Sequence, residues 1–216
     1  MISTKRLLRE LKRNDFRVAI FGSARIKKSN PIYNQVYHLA EMVGERGMDI
    51  VTGGGPGLME AANLGHKKGS KKIKSHSIGL GVKLPHEQKF NNAVQVQAEF
   101  RRFSKRLDNF MLLSNAIVIA PGGVGTLLEF FYTWQLMQVE QTCHIPVILM
   151  GSMYNDLIKW LKKGPLNKNY FKEEDLNTIF AVKNPEEAMK IIEASYKEFK
   201  KGNKNFCLNY KKYRIK

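Results

Sequence analysis

The chain of 216 residues has little cysteine and no long apolar run, and each shortage excludes a class of protein. Its two cysteines, Cys143 and Cys207, have no CxxC or metal-ligand spacing, so both are expected to be free thiols in the reducing cytoplasm. No apolar stretch reaches membrane-spanning length, and residues 1–13 lack the apolar core of a secretion signal. The histidines also lack ligand spacing, so no metal site is predicted.

Two common nucleotide-binding motifs are absent as well. Neither the glycine cluster at Gly53 nor the one at Gly123 satisfies GxGxxG, because the third glycine position falls on Leu58 and Leu128. No GxxxxGK[ST] phosphate loop occurs. The sequence therefore argues against a conventional NAD or ATP site.

Acidic residues are scarce relative to basic ones, and the formal net charge is +17. One interpretation is a protein that binds nucleic acid or an anionic surface. The other is an excess of surface lysines, with a few bases grouped around an anionic small-molecule site. The lysines are spread along the chain without an aromatic-basic RNA-reading motif, which favours the second interpretation. With 43% hydrophobic residues, the chain has the composition of a folded globular protein.

One glycine-rich segment, residues 121–129 (PGGVGTLLE), joins a predicted buried strand at 116–120 to a predicted helix at 127–139. Glycine permits a close backbone approach there, and the free N–H groups of the first helical turn favour an anion. Thr126 can cap the helix or donate its hydroxyl to a phosphate, and Glu129 lies one turn further in. The alternative is a plain strand-helix turn with Thr126 as the N-cap.

Two further glycine turns follow predicted strands. The strand at 17–21 ends in Gly22-Ser23-Ala24-Arg25, and the strand at 49–52 runs into residues 53–57 (GGGPG). In a parallel sheet, the carboxyl ends of the strands share one edge, where ligands bind. The three turns are therefore expected on one rim, holding an anionic, phosphorylated ligand between several helix N-termini.

Strands and helices alternate along the whole chain, which indicates βαβ units. We predict an α/β fold, a Rossmann-like three-layer sandwich with a mostly parallel sheet and helices on both faces. Residues 1–216 are expected to form a single Rossmann-like nucleotide-binding domain, with an N-terminal helix within 1–14 and a basic tail at 202–216. The further strands are predicted at 77–82, 94–100, 145–150 and 178–182, and the further helices at 31–46, 58–68, 103–114, 154–163 and 185–200.

Residues 53–63 (GGGPGLMEAAN) and 121–129 together closely resemble the LOG (Lonely Guy) family. Its members are cytokinin-activating nucleoside 5′-monophosphate phosphoribohydrolases, often mislabelled as lysine decarboxylases. The resemblance covers residues 17–194 and implies a hydrolase that releases free base and ribose 5-phosphate from AMP or a cytokinin riboside monophosphate. It further implies no cofactor and a homodimer or larger homo-oligomer. A non-catalytic nucleotide sensor or carrier on the same fold is the alternative.

The resemblance also implies which residues act. Arg106 and Glu129 match the family's catalytic arginine and glutamate, although Leu107 stands where the family usually has lysine and Leu128 where an acidic residue is frequent. Glu60 could contact the ribose or Arg106, or could merely favour a helix N-terminus. The residues expected to bind phosphate and ribose are Gly22, Ser23, Gly54, Gly55, Glu60, Gly122, Gly123, Gly125 and Thr126.

Overall fold

The computed structural model describes residues 7, 9, 10, 12–83 and 89–202. Two expectations therefore lie outside the described residues: the thiol of Cys207 and the basic tail beyond Gly202. The predicted N-terminal helix is covered only in part, and its positions 7, 9 and 10 are helical.

Within the described residues, seven strands form one sheet in which every pairing is parallel. The α/β prediction is confirmed. The strands are β1 (Arg17–Phe21), β2 (Asp49–Thr52), β3 (Ser77–Val82), β4 (Val96–Phe100), β5 (Ala116–Ile119), β6 (Val147–Met150) and β7 (Ile179–Val182). Every residue of β1, β2, β5 and β6 is buried, as expected for strands covered by helices on both faces.

Among the described residues, a helix follows every strand except β3, which is followed by β4. These helices are α1 (Pro31–Glu45), α2 (Leu58–Gly69), α3 (Phe103–Leu113), α4 (Val124–Gln138), α5 (Tyr154–Leu161) and α6 (Pro185–Lys200). Asparagine caps α1 and α6: Asn30 Oδ1 accepts from Ile32 N, and Asn184 Oδ1 accepts from Glu187 N, both at 2.9 Å. Among the described residues, no helix is long and apolar enough to cross a bilayer.

The strand order β4-β3-β2-β1-β5-β6-β7 determines where a ligand can bind. From β1 the chain builds outward through β2 and β3 to β4, then returns to the other side of β1 and continues from β5 to β7. The loops that leave β1 and β5 therefore diverge to opposite sides of the sheet. In open parallel sheets such a switch point creates a crevice outside the carboxyl ends of the strands.

Candidate functional site

A cavity of about 560 Å³ lies at the carboxyl edge of the sheet, beside this switch point. Its volume lies within the range of small-molecule sites. The three predicted glycine turns all line it, and so do Arg106 and Glu129. The predicted site residues that the structure brings together here are Gly22, Ser23, Gly54, Gly55, Gly123, Gly125, Thr126, Arg106 and Glu129.

Backbone hydrogen bonds join the three turns to one another. Ser23 N donates to Pro121 O at 3.0 Å, and Leu58 N donates to Ser23 O at 2.9 Å. Gly57, with φ +68°, passes so close to the first turn that a Cβ would lie 2.5 Å from Ser23 O. Because the first turn bonds to both of the others, the rim of the cavity is a connected structure.

The second glycine turn is held by side chains that the sequence interpretation did not assign. Asn91 Nδ2 donates to Gly54 O at 3.0 Å and to Gly55 O at 2.9 Å, and also contacts Asn63 Oδ1. Thr52 Oγ1 accepts from Gly54 N at 3.0 Å. Asn63 lies within the GGGPGLMEAAN motif, but nothing in the sequence indicates that Asn91, some 37 residues from Gly54, is its partner.

Arg106 and Glu129 form a buried ion pair in the wall of the cavity. Arg106 Nη1 donates to Glu129 Oε1 at 3.2 Å, and Nε donates to Leu80 O at 2.7 Å. The guanidinium also lies over the rings of Phe103 and Phe110, with its carbon 5.4 and 5.0 Å from their centroids. These four contacts hold the Arg106 guanidinium in place.

Burial changes the acid-base behaviour of the pair. It raises the pKa of Glu129 from 4.5 to about 7, and the attraction of Arg106 offsets only part of that rise. Burial lowers the pKa of Arg106, but a guanidinium remains charged at neutral pH. Glu129 is therefore a carboxyl group that can both release and take up a proton near neutrality.

The turn before α4 differs from one interpretation of the sequence. The helix begins at Val124 with Gly123 as its cap residue, so Thr126 lies inside the first turn and the N-cap interpretation is wrong. The Thr126 side chain is buried and packs over Gly122, where a Cβ would overlap its hydroxyl. Gly122 does not line the cavity itself, but it makes room for a residue that does.

Glu60 lies apart from the cavity lining. It is in the first turn of α2, and its Oε1 lies 3.4 Å from Lys28 Nζ. Arg106 bonds to Leu80 and Glu129 instead. The structure therefore does not bring Glu60 together with Arg106, and its position agrees with the helix-dipole alternative.

The two departures from the LOG pattern lie outside the cavity lining. Leu107 is 5% exposed and belongs to the core beneath α3, while Leu128 is 44% exposed on α4. Neither substitution replaces a side chain in the wall of the cavity.

Several other lining residues were not predicted, including Met59, Lys89, Phe90 and Phe103. The ring of Phe90 packs against Gly54 and against two glycines of β3, Gly79 and Gly81. Two glycines inside one strand usually mark a place where another group packs closely on the strand. The sequence could therefore have predicted a group packed on β3, although not that this group is Phe90.

A possible group of metal ligands occurs elsewhere, at the amino edge of the sheet. Carboxylate oxygens of Glu10 and Asp49 and a ring nitrogen of His76 lie within 4.8 Å of one another. Arg13 contacts both Glu10 and His76, and Arg17 Nε lies 3.5 Å from Asp49 Oδ2. Because two guanidinium groups already neutralise these carboxylates, the group is better suited to holding the N-terminal segment than to binding a cation.

Comparisons with known proteins agree with the geometry of the cavity. A family model described as "possible lysine decarboxylase" matches residues 50–192, about two thirds of the chain, and spans both glycine motifs as well as Arg106 and Glu129. The chain belongs to this family. It is the family of the LOG proteins, so the resemblance in the sequence is confirmed.

Relatives of this LOG-family chain include the pyrimidine/purine nucleotide 5′-monophosphate nucleosidases of Escherichia coli K12 and O157:H7. Each is 30% identical over 141 residues, which are 62% of this chain and 30% of the relative. The chain thus matches less than a third of the length of these relatives.

Solved structures with the same fold include two proteins linked to the molybdenum cofactor. The molybdenum cofactor binding protein of Rippkaea orientalis is 20% identical, with a TM-score of 0.62 over 84% of this chain and 97% of its own. The molybdenum cofactor carrier protein of Chlamydomonas reinhardtii is 17% identical, with a TM-score of 0.63 over 85% and 99%. At these identities the comparison establishes the fold alone.

Proposed function

We propose that this LOG-family chain hydrolyses the N-glycosidic bond of a nucleoside 5′-monophosphate, with AMP or a cytokinin riboside monophosphate as substrate. The observation that carries the proposal is the buried Arg106–Glu129 pair in a cavity rimmed by three glycine turns. A binding site for an anion needs only the turns. A buried carboxyl group with a pKa of about 7 beside them adds a group suited to catalysis.

The phosphate is assigned to the start of α4. Gly123, Gly125 and Thr126 line the cavity there, and a Cβ built on either glycine meets nothing within 4 Å. The open space beside the first-turn N–H groups can take phosphate oxygens, which the helix dipole favours. The Thr126 hydroxyl adds a hydrogen-bond donor at the same end.

The reaction follows from the position of Glu129. The C1′–N bond breaks with its electron pair leaving on the base, while positive charge develops on the ribose ring. The oxygen of a water molecule bonds to C1′, and its proton passes to the Glu129 carboxylate. The departing base takes up a proton from solvent and Glu129 returns its proton to solvent, so that the products are free base and ribose 5-phosphate and the carboxylate is regenerated. The carboxylate also stabilises the cationic ribose while the charge develops.

Arg106 is assigned to positioning. Its hydrogen bonds to Leu80 O and Glu129 Oε1 hold the carboxyl group beside the cavity. Its Nη2 makes no hydrogen bond within the described part of the chain and lies against Gly53, where a Cβ would come within 2.7 Å. This donor is free to contact an oxygen of the substrate.

The E. coli relatives support the substrate class, because their name states that they are nucleotide 5′-monophosphate nucleosidases. The family's lysine decarboxylase description has no such support. A pyridoxal-dependent decarboxylase needs a Schiff-base lysine. The one lysine that lines the cavity, among the described residues, is Lys89, and it is solvent-exposed.

The test is incubation of the purified chain with nucleoside monophosphates and chromatographic detection of free base. Wild type should release base, while Glu129→Gln, which keeps the shape but not the carboxylate, should reduce the rate by about 100-fold or more. Glu99→Gln, which removes an exposed carboxylate on β4, is the matched control. If no monophosphate yields base, the proposal fails.

A nucleotide sensor or carrier on the same fold is the second candidate. It is motivated by the molybdenum cofactor carrier of Chlamydomonas reinhardtii, whose fold this chain shares. Tight nucleotide binding without turnover, unchanged in Glu129→Gln, would favour this alternative over the hydrolase.

We also propose that the chain forms at least a homodimer in the cytoplasm. Phe130, Trp134 and Met137 of α4 are buried in the core, so they are not available for contact with a partner chain. Three other apolar residues of α4, the α4 stripe, are exposed at helical spacing: Val124 (85%), Leu128 (44%) and Phe131 (36%). Val124 also lines the cavity, so a partner seated on the stripe would border the site.

The proposed cytoplasmic location is supported by the thiol of Cys143, which is exposed and free, as suits a reducing compartment.

A further inference from the structure

The end of the cavity farthest from the proposed phosphate site is formed by β3 and by Phe90. In the strand order β3-β2-β1-β5, three inter-strand spacings separate the turn after β5 from the end of β3, a distance of about 14 Å. Gly81, Val82 and Phe90 line the β3 end, and Gly123 and Thr126 line the β5 end. The cavity therefore has two chemically different ends.

The ring of Phe90 is held against backbone. A Cβ built on Gly79 or Gly81 would lie 3.0 or 2.8 Å from ring carbons, and one on Gly54 would overlap the ring. Gly79 and Gly81 lie on the same face of β3, because side-chain positions in a strand alternate. Glycine inside a strand costs stability, and at these two positions it leaves space for the ring.

The Arg106–Glu129 pair lies between the two ends. Arg106 is bonded to Leu80 O of β3, while Glu129 comes from the helix that follows β5. If the phosphate occupies the start of α4 and the glycosidic bond lies at Glu129, the base extends towards β3. Phe90 is half-buried and lines the cavity at this end.

From this arrangement we infer that Phe90 is the platform on which the base of the substrate stacks. The inference rests on the proposed function, because it assumes a nucleotide with its phosphate at α4. It also deepens that proposal. Stacking uses the π-face that every base possesses, so Phe90 supplies affinity for a base without selecting one. A stacking platform therefore accommodates purine and pyrimidine nucleoside 5′-monophosphates alike, and the larger purine ring of AMP gains more from the contact.

A purely structural role for Phe90 makes a different prediction. Because its ring packs on Gly54, a change at Phe90 could displace the second glycine turn. Displacement of that turn would weaken every ligand of the cavity, including ribose 5-phosphate, which has no base. The ratio of the affinities for a nucleotide and for ribose 5-phosphate therefore distinguishes base stacking by Phe90 from structural support of the second glycine turn.

The experiment measures equilibrium binding of AMP, UMP and ribose 5-phosphate to the full chain carrying Glu129→Gln, so that nucleotides are not consumed. Phe90→Leu, which keeps most of the volume but removes the ring, should weaken AMP binding roughly 5- to 150-fold. Ribose 5-phosphate binding should change by less than about twofold, because that ligand makes no stacking contact. Phe90→Tyr retains a ring and should restore AMP affinity.

Phe103→Leu is the matched control, since Phe103 also lines the cavity but packs against the Arg106 guanidinium. It should leave the ratio of the two affinities unchanged. Equal weakening of AMP and ribose 5-phosphate by Phe90→Leu, unchanged AMP binding, or no AMP binding by the parent would each overturn the inference. Base release by wild type is scored separately. If wild type releases base but AMP affinity is the same in Phe90→Leu, the hydrolase proposal is supported and the stacking inference is refuted. If AMP affinity depends on Phe90 but no base is released, the stacking inference is supported and the hydrolase proposal is refuted.

Discussion

Arg106 and Glu129 meet beside the cavity, with Nη1 3.2 Å from Oε1 and with both residues more than nine-tenths buried. They come from α3 and α4, the two helices that precede and follow β5. An ion pair in such a position costs desolvation energy that a hydrophobic pair would not. The pair lies in the wall of the cavity, and Glu129 Oε2 has no hydrogen-bond partner among the described residues, which agrees with the proposed catalytic role.

The first prediction concerns Arg106. A lysine ammonium is a point charge without the planar fork, so Arg106→Lys cannot reproduce both the bond to Leu80 O and the bond to Glu129 Oε1. We expect the rate of base release from AMP, measured as kcat/KM, to fall about 100- to 1,000-fold. Lys105→Ala, which truncates an exposed side chain one residue earlier, should retain wild-type activity. Full activity in Arg106→Lys would contradict the positioning role.

The second prediction concerns pH. Because burial raises the pKa of Glu129 to about 7, its carboxylate form is lost as the pH falls through neutrality. At pH 6 only about one tenth of the protein would carry the base form. We expect kcat/KM for AMP to decline below pH 7 with a slope approaching tenfold per pH unit, and to level off above pH 8. A profile that is flat from pH 5 to pH 8 would rule out the Glu129 carboxylate as the proton acceptor.

The third prediction uses the open space at Gly125. This residue lies in the first turn of α4, its φ is outside the left-handed region, and an added Cβ meets nothing within 4 Å. Gly125→Ala should therefore keep or raise thermal stability, by up to about 1 kcal/mol. Nucleotide affinity should nevertheless fall at least about tenfold, because the methyl group occupies the phosphate position.

Gly54→Ala is the contrasting variant for that experiment. Gly54 has φ +73°, and its Cβ would overlap Phe90, so this substitution should lower stability as well as binding. Thermal melts and calorimetric titration with AMP measure both quantities for the two variants. Unchanged AMP affinity in a stable Gly125→Ala protein would exclude the start of α4 as the phosphate site.

The fourth prediction concerns Thr126. Thr126→Val keeps the shape of the buried side chain but removes its hydroxyl. Loss of a hydrogen bond to a charged group should weaken binding of AMP about 10- to 150-fold and leave binding of adenosine unchanged. Thr133→Val is the control, because the Thr133 hydroxyl donates to Glu129 O within the same helix and not to the cavity. An equal loss for AMP and adenosine would show that Thr126 does not contact the phosphate.

The fifth prediction concerns assembly. An exposed stripe of Val124, Leu128 and Phe131 is more apolar than a solvated helix face requires. We expect light scattering at micromolar concentration to report at least a homodimer, and Phe131→Glu to shift it towards monomer. Gln135→Glu adds the same charge one helical turn further along the exposed face and should have a smaller effect. A monomeric wild-type chain would refute the proposal.

Most element positions could be predicted from local sequence. Apolar runs predicted the strands, and glycine or Asn-Pro predicted where helices end or begin. The predicted boundaries of β1, β2 and β3 are those of the structure. The start of α4 was predicted three residues late, at Leu127 instead of Val124. Val-Gly-Thr has poor helix propensity, yet Leu127 N donates to Gly123 O at 3.0 Å, which places the first helical turn at Val124.

The sequence by itself determined the parallel α/β architecture, the three glycine turns after strands, and the family to which the chain belongs. These features can be predicted from short segments of sequence, because strand burial, turn geometry and helix capping depend on neighbours a few residues apart. Only the tertiary structure decided which residues share the cavity. It brought Asn91 to the second turn, Phe90 to the glycines of β3 and Arg106 to within 3.2 Å of Glu129, while it left Glu60 outside. Those contacts join residues from 9 positions apart (Phe90 and Gly81) to 37 positions apart (Asn91 and Gly54), and their geometry depends on how loops and helices pack on the sheet, which local spacing does not specify.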